Sequence, residues 1–261
     1  MSTGLFGSLL ELISIISGGL AKLTPAQLGL TFAAAVGITT LCAWVCLHYV
    51  QLWNKRFQLT MTHKVLTALA CTLTFFFVLA FAGLAFMKEV TLARITIWQA
   101  TIKIDPVWSR ETLHKTYESV KKIGKEDFSN FPSYEVGVPI SQSESKLIVA
   151  ETYSNEACKN FDAQHPFLSK VVWASPNVPT RIVQEDVEAY FKNKQGQVYP
   201  TERAVDLAAD HIKTQLTQQA PRVVTLSRIG LVIAFLLVQL IPFGLIGYAA
   251  YTDIRSSFKS A

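Results

Sequence analysis

Three stretches of this chain run without an ionised side chain for longer than the core of a water-soluble fold usually requires. Residues 28–50 give 23 such positions, residues 65–87 give 23 between Lys64 and Lys88, and residues 229–252 give 24 between Arg228 and Asp253. A helix rises about 1.5 Å per residue and the hydrocarbon layer is about 30 Å thick, so about 20 apolar residues suffice to cross it. Each run is therefore expected to be a transmembrane helix. Charged residues make up 16% of the 261, well below the roughly 25% of an average soluble domain, and the deficit lies in these runs. That excludes an ordinary cytosolic globule, a disordered tail and a disulfide-stapled miniprotein.

The expected fold class is an integral membrane protein with three transmembrane α-helices plus one α/β or mostly α extramembrane domain, inserted between the second and third helices. The expected layout is an amphipathic interfacial helix over 1–24, a first span over 25–53, a short basic loop over 54–64 and a second span over 65–87. The extramembrane domain follows over 88–228, then a third span over 229–252 and a tail over 253–261.

Charge placement gives an orientation. The segment 88–228 carries 18 Lys/Arg against 17 Asp/Glu, whereas the rest of the chain carries 6 against 2. The basic excess thus sits beside the spans, on the 51–64 loop (Lys55, Arg56, Lys64) and the tail (Arg255, Lys259). Short basic loops stay cytoplasmic, so the N-terminus and the 88–228 domain are expected outside, periplasmic in a bacterial inner membrane. Lys88, Arg94, Arg222 and Arg228 weigh against that assignment. Aromatic residues flank the spans at Trp44, Tyr49 and Trp53 and at Tyr248 and Tyr251, as interfacial belts do. A nucleic-acid binder needs a basic face to displace counterions from phosphate; the balanced domain has no such surplus, and no nucleic-acid partner is expected.

Three cysteines, Cys42, Cys46 and Cys71, fall in the apolar runs; Cys158 alone lies in the large domain, as a natural reporter for labelling. No Asn-x-Ser/Thr acceptor occurs, which suits a bacterial envelope better than a eukaryotic ectodomain.

Local signals organise the remainder. Thr24-Pro25-Ala26-Gln27 places a hydroxyl at N-cap, Pro at N1 and Gln at N3, a capping box opening the first span. Leu5, Leu9, Leu12, Ile16, Leu20 and Leu23 recur at helical spacing opposite Ser8, Glu11, Gly18 and Lys22. No Lys or Arg precedes residue 22, unlike a cleavable signal peptide. The stretch is expected to be an amphipathic helix in the interface or against a partner, or else one packed on its own bundle. In the large domain, 108–123, 181–192 and 202–219 read as helices, the last with N-cap Thr201 and a stripe of Val205, Ala209, Ile212 and Leu216 before Pro221 interrupts it. The β-branched segments 146–153 and 169–174 read as short strands. Residues 124–145 read as a loop whose Phe128, Phe131 and Tyr134 either contact a partner or tuck back onto the domain.

No nucleophile elbow, zinc-protease helix, Walker loop or dinucleotide fingerprint is present. No catalytic residue, cofactor site or metal site is expected, and the chain reads as a non-enzyme. Asp206 and Asp210, four apart on one helix face, are expected to be a solvated acidic surface rather than a cation site. Cys42 and Cys46, with His48 nearby, are expected to behave as small apolar residues rather than metal ligands. No Asp, Glu, Lys or Arg lies inside a span, which disfavours a proton relay or coupled transporter.

Small residues mark helix-packing faces: Gly29, Ala33 and Gly37 on the first span, Gly230 and Ala234 on the third. Gln239, Pro242, Gly244 and Gly247 form a candidate hinge or pore element in the third span. The leading expectation is a subunit or accessory factor of an envelope complex, with the lipid bilayer and a membrane or envelope protein, or a second copy, as partners. The rival expectations are a sensor whose 88–228 domain binds a ligand, and an oligomeric pore or channel subunit.

Overall fold

The computed structural model of the chain describes residues 3–52, 57–122, 137–139, 143–173, 175, 177–193 and 198–259. Helices dominate: α1 (Thr3–Leu20), α2 (Pro25–His48), α3 (Met61–Gly83), α4 (Met87–Ile104), α5 (Pro106–Lys122), α6 (Ser143–Gln164), α7 (Leu168–Val171), α8 (Asn177–Asn193) and α9 (Thr201–Lys259). A 3-10 turn follows α2 (Tyr49–Leu52) and another joins α3 to α4 (Leu84–Phe86). Among the described residues two strands, β1 (Gly137–Pro139) and β2 (Val198–Pro200), pair antiparallel with Val138 opposite Tyr199. Among the described residues, three helical stretches are long and apolar enough to cross a membrane, Pro25–Leu52, Met61–Ile104 and Glu202–Arg255.

The chain divides into two compact units, one of Met1–Leu12 with Glu89–Val223, the other of Ile13–Lys88 with Val224–Ala261. In the first unit α5 starts where Asp105 Oδ1 accepts the Val107 and Trp108 amides at 3.0 and 3.1 Å, with Pro106 at N1, so two orphan donors of the first turn are satisfied. The core gathers around Trp98, whose ring meets Phe161 edge-on at 5.3 Å and whose Nε1 donates to Asn160 at 2.9 Å. Val205, Ala209, Ile212 and Leu216 of α9 are buried, as their spacing predicts.

Three local expectations are overturned. Residues 146–153 are not a strand but lie within α6. The β-branched pair Ile148-Val149 is short, while buried Val149, Tyr153, Ala157 and Phe161 continue a helical period well past it. Packing of that longer stripe overrides local β-propensity. Of the expected strand 169–174, residues 169–171 belong to the helical turn α7 and the backbone becomes extended at Val172, while Ala174 lies outside the described residues. Nor does Pro221 interrupt: α9 runs through it and through Pro242. A proline removes one backbone hydrogen bond, and buried Leu216, Ala220 and Val223 hold the helix around Pro221.

In the second unit the capping box forms as the sequence dictates. Thr24 Oγ1 accepts the Gln27 amide at 3.3 Å and Gln27 Oε1 accepts the Thr24 amide at 2.9 Å. A core of Cys46, Val50, Ile246 and Ala250 is flanked by Tyr49, Phe57, Leu59 and Phe243. Phe32 meets Phe75, and Phe77 meets Phe235, edge-on at 5.4 and 5.9 Å. Helices α1 and α3 cross backbone to backbone: a Cβ added at Gly19 would sit 2.1 Å from the Gly83 carbonyl oxygen.

Candidate functional site

The most elaborate polar arrangement in the first unit centres on Glu11 of α1. Its position on the polar stripe of an amphipathic helix predicts a solvated side chain; the structure buries it. Glu11 Oε1 lies 2.9 Å from His165 Nδ1 and 3.9 Å from Arg94. Glu11 Oε2 accepts the Phe167 amide at 2.6 Å and the Leu168 amide at 3.4 Å. A carboxylate here caps the start of α7, meeting donors that helix geometry leaves without partners. One turn earlier, the Ser8 hydroxyl lies 2.9 Å from the Pro166 carbonyl and accepts from Lys170 Nζ at 2.7 Å, and Lys170 also donates to the Gly4 carbonyl at 3.0 Å. Ser8 and Glu11 therefore face inward, while Leu5, Phe6, Leu9 and Leu10 are 85, 66, 53 and 50% exposed. Ser8 and Glu11 of the polar stripe turn inward because the Pro166 carbonyl, the α7 amides and His165 give them partners inside the chain, while Leu12, Ile16 and Leu20 of the apolar stripe are half-buried.

Three further sets of ionisable groups in this unit pair between elements. Lys103 Nζ lies 3.2 Å from Asp206 and 2.8 Å from Asp210. The two carboxylates do share a face, and they hold a lysine from α4. Arg203 grips Asp186 with two bonds of 2.5 Å, and the buried Tyr199 hydroxyl donates to the same carboxylate at 2.5 Å. The Arg203 guanidinium, with help from Tyr199, outweighs partial burial and holds the Asp186 carboxyl below the usual range. Burial pushes the Glu156 carboxyl up, but hydrogen bonds from Lys115 (2.6 Å) and Lys159 (2.8 Å) prevail and leave it lowered.

Cys158 lies on α6 and is half-buried. Burial, aided by the neighbouring Asp162 carboxylate, pushes its thiol up to about 12, and the thiolate is the reactive form.

Of the residues singled out in the spans, Gln239 is the most informative. It is buried, its amide donates to the Thr74 hydroxyl, and it lies 3.4 Å from the Ala70 carbonyl. Thr74 in turn donates to Ala70 at 2.8 Å. Gln239 is thus bonded to α3 within the unit. Pro242 is buried, and Gly244 is exposed with nothing near it. Gly247 is different: a Cβ there would lie 3.0 Å from the Tyr49 hydroxyl, which donates to the Phe243 carbonyl. Gly29, Ala33 and Gly37 are exposed, and a Cβ added at Gly29, Gly37 or Gly230 would meet nothing within 4 Å. Ala234 is half-buried. Among the described residues, Gly29, Gly37 and Gly230 are not brought against another helix; the tight crossing uses Gly19 and Gly83 instead. Adjacent Gly18-Gly19 in an apolar helix and Gly83 near the end of an apolar run were the signals that could have found it.

Cys46 is buried beside the Thr67 hydroxyl at 3.5 Å, and His48 Nδ1 turns to the Trp44 carbonyl at 2.9 Å. Among the described residues no three His, Cys, Asp or Glu side chains come together as a metal site. An apolar groove of about 470 Å³ is lined by Leu30, Ala34, Phe77, Phe81, Leu231 and Phe235. Phe128, Phe131 and Tyr134 lie outside the described residues, as do Trp53, Lys55 and Arg56.

Taken together, these features define a mostly helical protein with three helices able to cross a membrane. No family model matches the chain, and no curated protein or solved structure matches it either.

Proposed function

We propose that this chain is a non-enzymatic protein of the bacterial inner membrane, held by three spans, that serves as a subunit or accessory factor of an envelope complex through its 88–228 segment. In this reading that segment is periplasmic, the C-terminus is cytoplasmic, and the partner is another envelope protein or a second copy.

The observation that carries the reading is the engagement of three sets of the segment's ionisable groups with one another. Lys103 sits between Asp206 and Asp210, Asp186 joins Arg203 and Tyr199, and Glu156 joins Lys115 and Lys159. Each set ties one element to another instead of converging on a reacting atom. Connectivity adds support. The two crossings between them put residues 1–24 and 88–228 on one side of the bilayer in this reading, and Glu11 does reach His165, Phe167 and Leu168. The exposed Gly29/Ala33/Gly37 face supplies a surface where a neighbouring helix backbone approaches closely.

Site-specific photo-crosslinking in native membranes tests the proposal, with probes at Glu188 and Lys192 on α8 and at Gly37. The expected result is a discrete adduct of higher mass from α8 positions. Monomer alone at every position, together with a monodisperse monomer in detergent, overturns it. For the orientation, Lys192→Cys in a chain without native cysteines is expected to react with an impermeant maleimide added outside inner-membrane spheroplasts. Reaction only after lysis reverses the assignment.

A further inference from the structure

Beyond the proposed complex, the second unit carries a surface that fits one kind of lipid. Two grooves of about 470 Å³ open within it. The one beside Phe77 and Phe235 is apolar apart from Thr31. The other, between the end of α2 and the start of α3, changes character along its length. Ala43, Leu47, Ala68 and Cys71 line its apolar end, and His48, Gln51 and Lys64 line its polar end. Lys64 is exposed and immediately precedes the charge-free run 65–87. Seven residues of helix separate Lys64 from Cys71, about 10 Å of rise. The headgroup layer on each side of the hydrocarbon is about 5–8 Å deep, so a groove of this length passes from headgroups into acyl chains. We propose that it binds one anionic phospholipid, the phosphate on Lys64 and Gln51 and the upper part of an acyl chain against Ala43, Leu47, Ala68 and Cys71.

Charge selects this occupant. Residues 13–88 and 224–261, which make up the unit, carry eight Lys/Arg against one Asp/Glu, and that one, Asp253, does not line the groove. Lys64 sits at the start of α3, where the helix dipole disfavours a cation, and no Asp or Glu occurs between Glu11 and Glu89 to offset it. A second copy meeting the groove through this unit would bring more cations. An anionic phospholipid brings the missing charge and an acyl chain together. The polar end is also held in place. His48 Nδ1 lies 2.9 Å from the Trp44 carbonyl and its ring stacks on Trp44 at 5.4 Å, and amphipathic rings of this kind favour the headgroup level. Thr67 beneath donates to the His63 carbonyl at 2.9 Å, so the floor needs nothing from the lipid. Such binding requires only that the spans lie in a bilayer, whichever side the 88–228 segment faces.

Photo-labelling from within the lipid tests this. The full chain, in phosphatidylcholine vesicles, receives a trace of phosphatidylglycerol or phosphatidylcholine carrying a diazirine near the top of one acyl chain. Adducts at 43–47 and 68–71 are expected to be about fivefold more abundant from the phosphatidylglycerol probe, the preference that one basic group near the surface confers. Lys64→Gln should bring the ratio close to one. Lys88→Gln, at an exposed position at the far end of the second apolar run, should leave it unchanged. Ala68→Phe fills the groove and should abolish the excess at 43–47 with Lys64 intact. Equal labelling by the two probes overturns the proposal, as does an excess that survives Lys64→Gln or Ala68→Phe, or is lost alike in Lys88→Gln. Leu236 and Leu240 of the third run are exposed and should be labelled by both probes alike. Adducts there but none at 43–47 or 68–71 mean that protein covers the groove, and only this proposal falls. Adducts on none of the three runs overturn the membrane reading itself.

Discussion

Glu11 and His165 lie 154 positions apart in the chain and 2.9 Å apart in the fold. The carboxylate that reaches His165 with one oxygen accepts the Phe167 and Leu168 amides with the other. One side chain thereby fixes the N-terminal helix to the turn between α6 and α7.

Removing that carboxylate strands donors in a buried site. Glu11→Ala is expected to cost about 2–4 kcal/mol, read as a lower unfolding midpoint in mild detergent. Amide exchange at Phe167 and Leu168 should accelerate in the same variant. Glu11→Gln keeps one acceptor and should lose less. Unchanged exchange at both amides would show that Glu11 does not cap α7.

The Asp186 carboxyl is lowered in the folded chain by Arg203 and Tyr199. A depressed carboxylate contributes stability that is complete above its unfolded value, about 3.9, and is lost as pH falls through the folded value. Acid should therefore weaken the parent chain more than Asp186→Asn between about pH 5 and pH 2. At neutral pH the substitution should cost about 1–2 kcal/mol, the usual worth of a charge-assisted bond partly open to water. Unfolding midpoints against pH for the two chains decide this; parallel curves would remove the role assigned to Arg203.

Cys158 should resist thiol reagents while the chain is folded. A pKa near 12 against the ordinary 9.0 lowers the thiolate fraction at neutral pH on the order of a thousandfold. Maleimide labelling of a chain whose only cysteine is Cys158 should be slow when native and fast in denaturant. Rapid native labelling would contradict the raised pKa of this half-buried thiol.

Glycines that look alike in the sequence should behave differently. Gly19→Ala forces a methyl into the Gly83 carbonyl, and Gly83→Ala places one 2.6 Å from the Ile16 carbonyl; both should lower the unfolding midpoint. Gly37→Ala meets nothing within 4 Å and should be neutral or stabilising by up to about 1 kcal/mol. Gly37→Leu should leave the single chain intact and weaken any association made through that face. Equal losses at Gly19 and Gly37 would refute the distinction.

Within the spans, Gln239 and Thr74 should be coupled. Interhelical hydrogen bonds in bilayers average about 0.6 kcal/mol and reach about 1.7, so a double-mutant cycle of Gln239→Leu and Thr74→Val should return a coupling in that range. Thr74 retains its bond to Ala70 when Gln239 is removed, so Gln239→Leu alone should cost little. A cycle with no coupling would separate the two side chains.

The apolar runs, the Thr24 capping box and the Val205–Leu216 stripe were legible because each signal is local. Transfer free energy adds along a run, and a cap or a stripe is read within a few turns. Residues 146–153 misled because a short β-branched cluster sits inside a longer helical stripe whose packing prevails. Asp206 and Asp210 were correctly placed on one face, yet nothing nearby in the chain marked Lys103, over a hundred residues upstream, as what they hold.

The amino-acid sequence by itself determined the three membrane-competent helices and the rhythm of the helices between them, since both depend on side chains close together along the chain. The tertiary structure decided which side of α1 turns inward, which glycines touch and which charges pair. Those outcomes depend on the donors, carbonyls and surfaces that distant segments bring within a few ångströms, and Glu11 beside His165 is their clearest instance.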